Sequence, residues 1–300
     1  MDTVLVLAWL VLAHLVADFG LQNDWIAMNK GKGGRLGWAA LGSHGLHVAL
    51  CLLPAVFAFG LPGLVYLVVV AASHVGVDRW KVAATRRAEV AALDAARRYQ
   101  ATGAPVPAPA LGDAWTPWPG ILFLADQFLH LTIAIVAWLV ILAGASLLPA
   151  FVDVVNAILR DWDRATVHAV VLTAVVLVSL FLVNTRGAYY FLFALASPRL
   201  VPPTQGAAAP SEASSPVPVG AAGRISATIA AFERILIVGF VLTGTQLLVG
   251  VLVAIDAFVR RRQLEDRGFA DWYLLTTAGG LFVALSTGFI AAAALSTLGG

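Results

Sequence analysis

Six histidines occur in the 300 residues; five of them lie in the first half of the chain, three of these four residues from an aspartate. His14, Asp18 and Gln22 follow one another at four-residue intervals. His44 and His47 stand one turn apart, His74, Asp78 and Lys81 form a third group, and Asp126, Gln127 and His130 a fourth. Residues three or four apart share a helix face, so each group predicts a polar stripe on one helix. Imidazole nitrogens and carboxylate oxygens are ligands for a divalent cation of the zinc, manganese or iron kind rather than for a soft-ligand metal. Water bound to such an ion is acidified toward neutral pH and attacks an ester, phosphoester or amide.

On this reading the metal ligands are drawn from His14, Asp18, His44, His47, His74, Asp78, Asp126 and His130. Asp18, Asp78, Asp126 and Lys81 carry the catalytic roles. Gln22, Gln127, Trp25 and Lys30 surround and orient the ligands, while Lys81, Lys30 and Arg79 suit an anionic headgroup. The same pairs also suit plain hydrogen bonds between helices, or a proton relay without metal.

The elements that must position these groups are membrane helices. The chain is 60% hydrophobic and 12% charged, far from the quarter of charged residues usual in soluble domains. Apolar runs near the 20 residues needed to cross a bilayer recur along it. The expected fold is all-α, a polytopic transmembrane helix bundle of seven or eight segments. A net charge of +2 gathered into a few loops speaks for membrane orientation and gives no case for nucleic acid. Cys51 is the single cysteine, which excludes an intrachain disulfide and a thiolate-rich metal site. The first apolar run lacks a basic start and a cleavage motif and reads as a retained helix.

Segments are expected at about 4–22, 38–59, 66–77, 121–148 and 165–183, then at about 225–259 and 272–294. Residues 1–200 form an N-terminal bundle with a basic cytoplasmic loop at 78–119, whose first part reads as helix. The Pro/Ala/Ser-rich stretch 201–224 reads as a flexible linker, and 225–300 as a C-terminal hairpin. Basic loops favour the cytoplasmic side, which puts the N-terminus outside. The Arg260–Arg267 loop is then inside only if an additional crossing occurs near the short apolar stretch 187–196. Helix direction alternates, and the four polar groups alternate between helix ends in step, so all fall in the cytoplasmic leaflet. Ionisable side chains in a span cost at least about 2.5 to 3.5 kcal/mol each on insertion scales, and a shared site would compensate them together.

Lesser features have plainer readings. His168 is interfacial, Glu233 and Arg234 pair or snorkel, and Gly239, Gly244 and Gly250 allow close helix packing. Trp25, Trp38, Trp80, Trp118 and Trp272 fit an interfacial belt, with Trp25 and Trp80 near the mouth of the cluster.

The run from His14 through Asp18, Gln22 and Trp25 to Lys30 resembles a bacterial membrane-protein family catalogued as domain of unknown function 3307. The likeness continues through His44 and His47, His74 to Lys81 and Asp126 to His130, and returns at Glu233-Arg234 and at Asp271-Trp272-Tyr273. It implies a bacterial cytoplasmic (inner) membrane location and adds little about activity. Three functions stay open: a metal-dependent hydrolase acting on a lipid or lipid-linked substrate, a transporter or proton-coupled channel, and a non-enzymatic membrane scaffold.

Overall fold

A computed structural model describes residues 3–102, 115–196 and 220–298. All regular structure in these residues is helical. α1 (Thr3–Leu15) runs into a π-helical turn, Val16–Gly20, and the short α2 (Asp24–Asn29) leads to α3 (Gly34–Phe59) and α4 (Leu61–Ala101). α5 (Trp118–Ala137) ends in a second π turn, Trp138–Leu142. Next come α6 (Pro149–Ile158), α7 (Arg164–Leu182) with a third π turn, Val183–Gly187, and α8 (Ala188–Ala196). The chain closes with α9 (Gly220–Leu242), α10 (Leu247–Val259) and α11 (Arg267–Ser296). Seven stretches are long and apolar enough to cross a membrane, in agreement with the expected polytopic all-α fold. The expected linker residues 201–219 and the Ala-Pro stretch 104–110 lie outside the described residues.

Two compact units divide the chain. The first comprises residues 1–83, 125–183 and 293–300, and the second 84–124 and 184–292. In the first unit, α1, α3, α4 and α5 share an apolar core built on Leu10, Val48, Leu52, Tyr66 and Leu142. Tyr66 donates its hydroxyl to the Ala134 carbonyl at 3.2 Å, which satisfies the one polar atom of a fully buried ring. The α3–α4 reversal is tight because Gly60 adopts φ +63° and because a Cβ on Gly63 would collide with the Ala55 carbonyl. His44 and His74 lie at similar distances on either side of Gly60, so the hairpin sets them level. One helical turn of close approach keeps them there, since a Cβ on Gly45 would come within 2.5 Å of Val75 Cγ2.

Three segment boundaries differ from expectation. Segment one stops at Gly20, so Gln22 sits in the turn to α2 rather than on the same helix. Residues 149–158, expected in a loop, form α6, which starts with Pro149 at its first position and buries no residue. The long segment 225–259 is broken at Gly244, whose φ of +73° ends the helix. Gly239, Gly244 and Gly250 have open space where a Cβ would lie, so they are not packing glycines; Gly279 and Gly288 are, facing Leu192 and Val241.

The break at Gly244 decides the C-terminal topology. Gly280 faces Arg234 and Gly288 faces Val241, so advancing along α9 advances along α11 and the two run parallel. Between them α10 runs back, bringing Asp256 to Tyr273, whose hydroxyl it accepts at 2.9 Å. At 13 residues α10 covers only about 20 Å, which is why length alone does not mark it. Stretch 187–196 is the continuation of α7 through its π turn within one candidate span, Arg164–Ala196. In a Cys51→Ser background, cysteines placed at Gly244 and Gln263 should therefore react with an impermeant maleimide from opposite faces of sealed vesicles; labelling from the same face would remove α10 as a crossing.

Candidate metal centre

The first unit gathers His14 and Asp18 from α1 and its π turn, His44 from α3, His74, Asp78 and Lys81 from α4, and Asp126, Gln127 and His130 from α5. All are buried or mostly so; Asp126 is 0% exposed, and His44 and Asp78 are each 1% exposed. Asp18 occupies the middle of the π turn closed by the Leu21 N–H donating to the Val16 carbonyl at 2.8 Å. Such turns widen the helix locally and are often found at functional sites. Here it leaves the Asp18 carboxylate on the His14 face while ending the helix just beyond.

At the centre are Asp18 Oδ1, His44 Nε2 and His74 Nε2. The His44–His74 nitrogens are 3.1 Å apart, His74 to Asp18 is 3.2 Å and His44 to Asp18 is 3.4 Å. The three atoms form a nearly equilateral triangle. A tetrahedral zinc with ligand bonds of about 2.0–2.1 Å has ligand-to-ligand edges of about 3.3–3.4 Å. The triangle is thus one face of such a tetrahedron, within a few tenths of an ångström. His14 Nδ1 stands 3.8 Å from Asp18 Oδ1.

Gln127 holds this group to its neighbour. Its Oε1 is 3.1 Å from His14 Nε2, and its amide nitrogen donates to Asp18 Oδ2 and to Asp126 Oδ2, both at 3.1 Å. The opposite amide orientation would point oxygen at two carboxylates, so the amide faces as drawn. With Oε1 accepting, His14 carries its proton on Nε2 and turns a lone pair toward Asp18.

The other two carboxylates have ammonium partners. Lys81 donates to Asp126 Oδ2 at 2.6 Å. Lys30 lies 3.5 Å from Asp78 Oδ2 and donates to Gln22 Oε1 at 2.9 Å. Its position follows from α2: Asn23 caps that helix by accepting from the Ile26 N–H at 2.9 Å, and fully buried Ile26 anchors it, which swings Lys30 back over the cluster. Asp18 is the carboxylate left without an ammonium. Counting the imidazoles as neutral, three carboxylates face two ammonium groups and one negative charge remains, located where three imidazole nitrogens converge.

Among the described residues, three groups of ligand atoms lie within 4.8 Å of one another: Asp18, His44 and His74; His14, His74 and His130; and Asp78, Asp126 and His130. Only the first joins a carboxylate that has no lysine to two imidazoles. Beside the second group is a cavity of about 20 Å³ lined by His14, His74 and His130 and otherwise by apolar side chains such as Leu10, Val48 and Val70. That is room for one water molecule.

Among the sequence candidates, His47 is not brought in. It is half-buried, belongs to none of the three groups, and its Nδ1 has no hydrogen-bond partner. At about 100° per residue, His47 stands roughly 60° from His44 and roughly 100° from Val48, off the face that those two present. Trp25 is 44% exposed; what its residue contributes is a backbone carbonyl accepting from Asn29 at 2.7 Å. Arg79 lies over the Trp38 ring at 5.4 Å.

The second unit holds a buried polar contact that spacing did not show. Arg234 neither snorkels nor pairs with Glu233 among the described ion pairs; it is 4% exposed and donates through Nε to the Asn184 carbonyl at 2.7 Å. Asn184 belongs to the π turn Val183–Gly187 and donates to Thr287 at 3.1 Å. A π turn is not legible in spacing, which is why this contact was not foreseen.

The profile of a protein family described as "Protein of unknown function (DUF3307)" matches residues 6–159. The match spans every residue of the cluster and stops short of Glu233-Arg234 and Asp271-Trp272-Tyr273. No curated protein and no solved structure matches the chain.

Proposed function

Because the chain belongs to the protein family described as being of unknown function, DUF3307, its chemistry has to be read from its own side chains, and we propose that it is a metal-dependent hydrolase of the membrane. One observation carries this reading: the 3.1, 3.2 and 3.4 Å triangle of Asp18, His44 and His74. Three protein ligands with an open fourth position are the arrangement of a catalytic zinc-type site. A divalent ion there turns the local charge from one negative to one positive, and a hydroxide on the ion brings it to zero. Deprotonation of bound water near neutral pH is what such an ion promotes. Asp18, His44 and His74 would hold the ion, which would supply acidified water for attack on the ester, and the Lys81 ammonium would protonate the leaving oxygen and regain its proton from water.

Burial among apolar helices favours a lipid or lipid-linked substrate over a soluble one. The basic Lys30–Arg35 loop follows on the helix that carries Asp18, and the positive-inside rule then turns the site to the cytoplasmic leaflet of a bacterial inner membrane. Gently purified protein should carry zinc, manganese or iron at about one ion or more per chain by elemental analysis, and should lose lipid-ester hydrolysis on chelation. Protein that is free of metal yet active would remove the proposal.

A second reading rests on a different observation. Asp18, His44 and His74 are titratable groups in mutual contact, as a proton relay requires. It calls for proton or substrate flux in liposomes with no need of metal, and a chelator-insensitive flux would favour it.

A further inference from the structure

The cluster has a second gap, and it faces two atoms that lack any partner. Asp126 Oδ1 and His130 Nδ1 are both buried without a hydrogen bond, and they face one another at 3.8 Å. His130 Nε2 lies 3.3 Å from the His74 carbonyl, which accepts its proton, so the neutral ring has its lone pair on Nδ1. Two acceptors therefore point at one another in a site closed to bulk water, an arrangement that calls for a donor or a cation between them.

Asp126 divides its two oxygens. Oδ2 accepts from Lys81 and Gln127, while Oδ1 is left to this gap. Asp78 offers a third ligand: one of its carboxylate oxygens lies within 4.8 Å of a carboxylate oxygen of Asp126 and of a ring nitrogen of His130. His130 is also stacked on His74, with ring centroids 3.7 Å apart and planes 10° from parallel. Through this stacked pair, His130 is the immediate neighbour of a ligand candidate of the Asp18–His44–His74 group.

We propose that Asp126 Oδ1, His130 Nδ1 and Asp78 form a second divalent-cation site, and that the pair of ions selects a phosphate monoester as substrate. This rests on the metal reading of the first site. Charge decides the substrate class. Three carboxylates and two ammonium groups sum to one negative charge, two divalent ions raise this to three positive, and a hydroxide lowers it to two. A phosphate monoester dianion cancels the remainder, whereas a neutral carboxylic ester or amide leaves two uncompensated charges among apolar helices. In the reaction the hydroxide oxygen bonds to phosphorus and the ester P–O bond breaks, its electron pair going to the alcohol oxygen. That oxygen takes a proton from Lys81, which water restores. Ester and water become alcohol and inorganic phosphate, with no oxidant or further reactant.

The test is metal stoichiometry of the detergent-purified full chain, saturated with manganese or zinc and desalted, with and without inorganic phosphate. The parent should retain two ions per chain and His130→Gln and Asp126→Asn one each, and that single retained ion shows that the variants fold. Phosphate should tighten the second ion at least tenfold in the parent and leave the variants unchanged. One ion in both parent and His130→Gln overturns the second site while leaving the first intact, and none in the parent overturns the metal reading altogether. Phosphate release is then measured from phosphatidate in mixed micelles and from glycerol 3-phosphate: release from the first alone assigns a lipid ester, from the second alone a soluble one, and from neither overturns the substrate class.

Discussion

Asp18→Ala is expected to lower divalent-metal affinity by at least about 100-fold, because loss of even an outer partner of a metal ligand costs 10- to 100-fold and Asp18 is itself a ligand in this reading. Its Oδ1 is the vertex shared by the His44 and His74 contacts at 3.4 and 3.2 Å. Without it, two imidazole nitrogens remain 3.1 Å apart with no anion to offset the ion's charge. His74→Ala should have a comparable effect, since it removes one ligand and also the ring on which His130 stacks. His47→Ala should retain the parent's metal, because His47 lies outside the three ligand groups. Elemental analysis after dialysis decides the matter: metal content at the parent level in both Asp18→Ala and His74→Ala would end the metal hypothesis, whatever the activity.

Lys81→Met should produce the largest loss of stability. Lys81 Nζ sits 2.6 Å from Asp126 Oδ2, with the Asp126 side chain fully buried. Removing one partner of a buried pair leaves an uncompensated charge and costs about 3–5 kcal/mol, while replacing both partners is often close to neutral. Gln127 donates to the same oxygen, but a neutral amide cannot replace the ammonium. Thermal unfolding in detergent should therefore show Lys81→Met far below the parent, and Lys81→Met with Asp126→Asn recovering more than half of the deficit. If the double variant is as unstable as the single one, the loss comes from packing of the lysine stem rather than from the stranded carboxylate. Both predictions locate the same asymmetry: two carboxylates are neutralised by lysines, and the third, Asp18, is not.

Much of this was legible in the sequence, and the reasons are physical. In a bilayer the backbone must satisfy its own hydrogen bonds, so apolar runs of spanning length dictate helices. Polar groups at four-residue spacing within them dictate shared faces. Alternating helix direction then places those faces at one depth. His14, Asp18, His44, His74, Asp78, Asp126 and His130 could be named together on those grounds, and Lys81 and Gln127 with them.

Tertiary structure alone decided which of these atoms meet. His44 and His47 are equivalent by spacing, and only the side of α3 that packs against α4 separates them, a choice made by Gly45 and Val75. The pairing of Lys30 with Asp78 and of Lys81 with Asp126 depends on how α2 folds back and how α4 meets α5, and these contacts join residues 48 and 45 positions apart. The π turns at Asp18 and Asn184 and the return of α10 at Gly244 left no periodic trace, because each is a local departure from the repeat by which helices are read. Composition and periodicity determined the helices and the chemistry available on them; distances of a few ångströms between separate helices, which no spacing along one chain encodes, determined which carboxylate is left without an ammonium partner.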